Sequence, residues 1–252
     1  MHRNWTEHEL LIIMNLYCRL PFGQCNSRNK LVNEVAGKMD RTGGSVSRKL
    51  GNIASLDPRL QARGVGGLPN SSKLDRMVWA KFQDNWSAMA DKSETAFDVL
   101  MGGPVPKKPV PKIEPPSGPS EIERTAKSRR LQNFFRNVVL SSYENRCALT
   151  GMAEPMLLIA SHIIPWSVNE NRRADPTNGL CLNALHDKAF DRHLITFDKD
   201  CRLVVSSFLK KGDLLEFQST NFAKLEGAKL TLPHRFAPDP QAMEEHRNSF
   251  IT

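Results

Sequence analysis

The chain is poor in cysteine, with five in 252 residues, and no two of them form a C-x-x-C pair. Cys18, Cys25, Cys147, Cys181 and Cys201 are odd in number and scattered, which argues against a disulfide framework and a structural zinc site and for reduced thiols in a reducing compartment. Long apolar runs are lacking as well: nothing approaches the ~18–20 residues that cross a bilayer. The N-terminus, Met1-His2-Arg3-Asn4-Trp5, has no apolar signal-peptide core. These absences predict a cytoplasmic protein. No internal repeat is found, and with 40% hydrophobic and 25% charged residues the composition excludes a fibrous or wholly disordered chain.

The charge that is present is unevenly placed. Lys and Arg outnumber Asp and Glu by 14 to 10 over residues 1–100 and by 7 to 3 over 101–130, whereas the two balance at 14 each over 131–252. Within the first segment, residues 28–50 alone carry 6 against 2. Excess positive charge confined to one motif and one linker is the footprint of a phosphate-backbone binder, although a solvated charged face has the same composition. Six prolines, three glycines and three lysines between Gly102 and Gly118 mark a semi-rigid linker. The expected organisation is therefore a domain at 1–101, a linker at 102–119 and a second domain at 120–252.

The first domain reads as all-α. Thr6 to Glu9 is a capping box opening a helix with Leu10, Ile13, Met14 and Tyr17 inward and Pro21 as its stop. A second helix carries Leu31, Val32, Val35 and Met39. A third follows Thr42 with Val46, Leu50 and Ile53 buried. A fourth starts at Ser72 with Leu74, Met77, Val78 and Phe82 inward. The short polar break from Asp40 to Gly44 between the second and third helices predicts a helix-turn-helix, with Arg41, Ser45, Ser47, Arg48, Lys49 and Asn52 free to meet bases and phosphates. A protein-interaction bundle is the alternative. Trp5-Thr6-x-x-Glu9-Leu10 and Arg41-Thr42-x-x-Ser45-Val46 weakly resemble a diverged Myb/SANT-type helix-turn-helix over residues 4–54.

The second domain opens on a helix from the capping box Ser120 to Glu123, whose Lys127, Arg129 and Arg130 extend the basic linker toward DNA. The turn Arg146 to Gly151 leads to the apolar stretch 156–160 and then Ser161-His162-Ile163-Ile164-Pro165-Trp166. A histidine at the end of a strand is held rigidly and stays reachable, as a general base must be. Asp175 to Leu182 reads as a turn and short strand, and 183–191 as a helix with Asp187 and Asp191 at i, i+4 on one face and His186 on the apolar side. Such a carboxylate pair facing His162 suits Mg²⁺ or another hard divalent cation. Residues 194–206 read as a β-hairpin that contains nothing more functional than the polar His193 at its edge, and Asp239-Pro240 opens a terminal helix with Met243, His246, Arg247 and Phe250.

The blocks CALTG, ASHIIPW, DPTNGLCLNALHDKAFD and LITFD, over residues 146–197, resemble the HNH endonuclease family in its zinc-free branch. The resemblance implies an α+β protein with a C-terminal ββα-metal nuclease domain. It implies His162 as general base, Asn178 orienting it, Asp187 and Asp191 as metal ligands with Ser161 at a position where relatives place a stronger ligand, and His186 as a further catalytic or ligand candidate. It further implies one Mg²⁺ or Mn²⁺ ion, hydrolysis of double-stranded DNA and, by analogy, a restriction or defence role. Because one such site cuts one strand per binding event, double-strand cleavage calls for two, most simply a C2 homodimer. A low-specificity mobile-element nuclease and a DNA-binding regulator with a degenerate nuclease fold are the alternatives.

Overall fold

A computed structural model describes residues 3–65, 68, 70–103, 121–212 and 215–252, with the side chains of 121–124 left aside. The expected linker lies outside the described residues except for Gly102 and Gly103, as does Ser120 of the second capping box. The chain divides into two compact units: Met1–Val138 with Asn171–Ala174, and Val139–Glu170 with Asp175–Thr252.

The first unit is helical. Helix α1 (Glu7–Arg19) opens on the capping box, with the Thr6 side chain accepting from the Glu9 N–H, and ends before Pro21. Helix α2 (Lys30–Lys38) is capped by Asn29, and α3 (Gly43–Ala54) by Thr42, whose Oγ1 accepts from the Ser45 N–H at 3.1 Å. The turn between them places Asp40 at φ 53°, and the Arg41 N–H donates to Ala36 O at 2.9 Å, which closes the end of α2. Helices α4 (Pro58–Ala62), α5 (Lys73–Asp84) and α6 (Trp86–Met101) follow, and Gly102 at φ 86° ends α6 in the left-handed conformation that glycine adopts without strain. Val46, Leu50 and Ile53 of α3 are fully buried against α1 and α5.

The side chains assigned to the reader separate into two groups. Lys49, expected to face outward, is buried because its Nζ pairs with both Asp75 oxygens on α5 at 2.9 and 3.1 Å. Arg41 is likewise turned inward, donating to the Glu9 carboxylate at 2.8 and 3.0 Å while its guanidinium lies 3.8 Å from the Trp5 ring centroid. Burial alone would raise the Glu9 carboxyl, but Arg41, the Thr6 N–H and Arg3 hold it down at about 2. The Ser47 hydroxyl donates to Cys25 O at 3.4 Å. Ser45, Arg48 and Asn52 keep their side chains free among the described residues and line a cavity of about 400 Å³ with Trp5, Leu68 and Asn70. Met77, expected inside α5, faces solvent, and Trp79 takes the buried place.

Helix α7 (Glu121–Ser142) contributes its residues through Val138 to the first unit, where Phe134 packs within 6.4 Å of Phe82 and 6.3 Å of Trp86. Arg130 on this helix pairs with Asp91 at 2.6 Å, while Lys127 and Arg129 are exposed.

The second unit contains a hairpin and the helix that follows it. Strands β1 (Leu158–His162) and β2 (Gly179–Asn183) pair antiparallel, with Ser161 opposite Leu180 and His162 opposite Gly179. The Asn183 side chain accepts from the His186 N–H at 2.9 Å and caps helix α8 (Ala184–Asp191), which starts without an intervening loop. A second hairpin, β3 (Ile195–Phe197) with β4 (Leu203–Val205), occupies the expected place. Helices α9 (Glu216–Asn221) and α10 (Pro240–Asn248) complete the unit, with Asp239 capping α10 and Phe250 beyond its end. His246 of α10 ties the layers together: its ring stacks on Phe190 at 3.6 Å, its Nε2 donates to Phe190 O at 3.0 Å, and its Nδ1 accepts from the Thr196 hydroxyl at 2.9 Å.

Candidate active site

β1 ends at His162 because the chain leaves the sheet toward Pro165, which has no N–H to donate. The departing loop is held from below by Asn178, which is 1% exposed. Asn178 Oδ1 accepts from the Ile164 N–H at 2.8 Å, its Nδ2 donates to Ile164 O at 3.0 Å, and its backbone carbonyl accepts from the Ile163 N–H at 2.9 Å. Three hydrogen bonds from one buried residue fix the two positions that follow His162. The His162 ring is further packed edge-to-face on Trp166, centroids 5.5 Å apart at 88°.

Beside this strand end, α8 presents one face to a cavity of about 430 Å³. Ser161, His162 and Trp166 line it from the hairpin side, and Asp187, Lys188, Asp191 and Arg192 from the helix. Side chains four apart on a helix lie one above the other, which is why Asp187 and Asp191 arrive together. Burial pushes the Asp187 carboxyl above its ordinary value and Asp191 adds to the rise, against the Ser161 hydroxyl and Lys188. Ser161 Oγ is buried and makes no well-formed hydrogen bond, although it lies close enough to Asp187 to favour the ionised carboxylate.

His186 goes elsewhere. It is fully buried on the opposite face of α8, donating from Nε2 to Asn221 O at 2.8 Å and packing edge-on against Phe222. On the same side lies the Cys147 thiol. Burial raises that thiol, and His186 and Thr150 outweigh burial to bring it to about 7. This placement makes His186 an anchor of the helix and leaves it outside the cavity. His193, at φ 54°, lies 4.7 Å from His246, also away from the cavity.

Lys188, Arg192 and Trp166 line the cavity without having been singled out in the sequence. Trp166 closes the very motif that names His162, and the two cations each follow a candidate carboxylate by one position, so adjacency was the available signal. Among the described residues no cluster of three or more His, Cys, Asp or Glu side chains is arranged to hold a metal ion. The donors present are two carboxylates and a hydroxyl, a set that suits a hard cation completing its shell with water and does not suit zinc. Among the described residues no helix is long and apolar enough to cross a membrane.

No curated protein gives a significant match to the chain. Residues 147–198, which take in the Cys147 turn, both strands of the first hairpin and α8, match the family model described as HNH endonuclease, so the second unit carries a segment similar to HNH nuclease domains.

Proposed function

We propose that the chain is a metal-dependent DNA endonuclease of restriction or defence type, with its chemistry in the second unit and its DNA reader in the first. The observation that carries this reading is the convergence of His162, Ser161, Asp187 and Asp191 on one cavity. His162 accepts a proton from the attacking water, and Asn178 holds the turn that aims it. Asp187 and Asp191 would hold a Mg²⁺ or Mn²⁺ ion, with Ser161 as a further oxygen donor, and its charge would relieve the repulsion between the two carboxylates. When bound, the cation polarises the phosphate and stabilises the departing oxygen. Ser45, Arg48 and Asn52 form the reading surface of α3 in a helix-turn-helix, Lys127 and Arg129 add phosphate contacts, and two chains act as a homodimer on double-stranded DNA.

Plasmid and genomic DNA incubated with the protein should be cut with Mg²⁺ or Mn²⁺ and spared with EDTA. His162→Ala should lose roughly 10²–10⁴-fold in rate with DNA binding retained. Cutting that survives EDTA, or an undiminished His162→Ala variant, would show the chemistry to lie elsewhere. The serine where relatives carry a stronger ligand supports a second reading, a DNA-binding regulator with an inactive nuclease fold. Binding without cutting in either metal is its outcome.

A further inference from the structure

Helix α8 carries an arrangement of charge that its own stability does not explain. Asp187 and Asp191 are stacked at i, i+4 on the eight-residue helix, and Lys188 shares that spacing with Arg192, the residue that caps the helix's C-terminal end, so that like charge lies near like along two adjacent stripes. Like-charged pairs at this spacing destabilise an isolated helix by a few tenths of a kcal/mol each. Lys188 and Asp191, three apart, could pair and offset this, yet neither Lys188 nor Arg192 makes an ion pair or side-chain hydrogen bond among the described residues. Lys188 in the last turn and Arg192 at the C-cap both interact favourably with the helix dipole, but that interaction does not account for both of them bordering the cavity that holds His162. The second unit lies within a stretch of balanced charge, residues 131–252, so a substrate polyanion must be held there by local groups and not by a general field.

We propose that Lys188 and Arg192 are a phosphate clamp: exposed cations four residues apart, about 6 Å along the helix axis, that grip the DNA backbone on either side of the bond to be broken. The inference rests on the nuclease reading above and deepens it. One helix then does two jobs on two stripes, Asp187 and Asp191 toward the cation and Lys188 and Arg192 toward the phosphates that flank it. Both are binding residues; the reacting water is left to His162.

The test is a Lys188→Gln, Arg192→Gln double variant. Both side chains are on the surface, so its thermal unfolding should match the wild type. Binding is measured in the His162→Ala background on a labelled duplex, where the substrate stays intact. Releasing one phosphate from a bound cation lowers the slope of log K against log salt by about 0.9, so the double variant should be shallower by about 1.8 and about tenfold weaker. In the active protein KM should rise by a similar factor with kcat nearly unchanged, and the charge-preserving Lys188→Arg, Arg192→Lys variant should restore both. An unchanged slope and KM would overturn the clamp even if wild-type protein cuts DNA. A wild type that never cuts would overturn the nuclease reading, and the binding slope would still decide the clamp.

Discussion

Residue by residue, the first unit shows how charge close in sequence can do opposite work. Arg48 and Lys49 are neighbours on α3 and both look like DNA contacts by composition. The helix rotates each residue by about 100° from the last, so one remains at the surface while the other meets Asp75 on α5. Breaking a buried ion pair strands the remaining charge, at a cost of roughly 3–5 kcal/mol. Lys49→Ala should therefore lower the unfolding midpoint in urea by a large margin, and any loss of DNA binding it shows should follow from that. Arg48→Ala should leave stability within about 0.5 kcal/mol and weaken DNA binding with a shallower salt dependence. Equal stability of the two variants would mean that the Lys49–Asp75 pair does not hold the bundle; unchanged DNA affinity in Arg48→Ala would remove α3 as the reading surface. No reading of α3 alone finds this pair, because its acceptor lies 26 positions away.

At the level of elements, the hairpin and helix that build the cavity were legible because their signals are local. The apolar run before His162 and the i, i+4 carboxylates each depend on residues within one turn or one strand, whereas Asn183, read as the helix's first residue, proves to be its N-cap. The placement of His186 followed from the same periodicity, and its burial against Asn221 and Phe222 agrees with the apolar side of the helix. What periodicity could not supply was the far partner, as with Met77 and Trp79 on α5, whose exposure depends on which side α1 occupies. The role of α10 was equally hidden, since its docking runs through His246. Burial, with smaller effects from its neighbours, lowers that imidazole to about 4, whereas an unfolded histidine titrates near 6.5. Between pH 6.5 and about 4 the unfolded chain binds a proton that the folded chain refuses, so stability should fall as pH drops across that window by on the order of 3 kcal/mol and lose nothing further from this group below it. His246→Gln, which can still donate to Phe190 O, should unfold at a midpoint that changes far less between pH 7 and pH 4.5. Parallel loss in wild type and variant over this range would show that His246 does not couple α10 to the hairpin.

For the whole molecule, the distribution of charge and the cavity beside His162 set what cleavage should look like. Excess cations lie in residues 1–130, so under the proposed function most of the salt-dependent affinity should come from there and the cut from the neutral C-terminal stretch. Under that function, one general base beside one carboxylate pair would hydrolyse one bond per encounter. Breaking both strands then calls for two cavities acting on opposite strands, and a twofold dimer is the commonest way to supply them. Its two readers would also favour a palindromic target, with half-sites spaced by the helical repeat. Light scattering should accordingly find particles of twice the 28.4 kDa chain on specific DNA. In plasmid assays nicked circles should accumulate at low protein concentration, and linear product should rise more steeply than in proportion as protein is added. A protein that remains a single chain on DNA and still converts supercoiled plasmid to linear form in one concerted step would rule the dimer out, and would require one cavity to visit both strands before release.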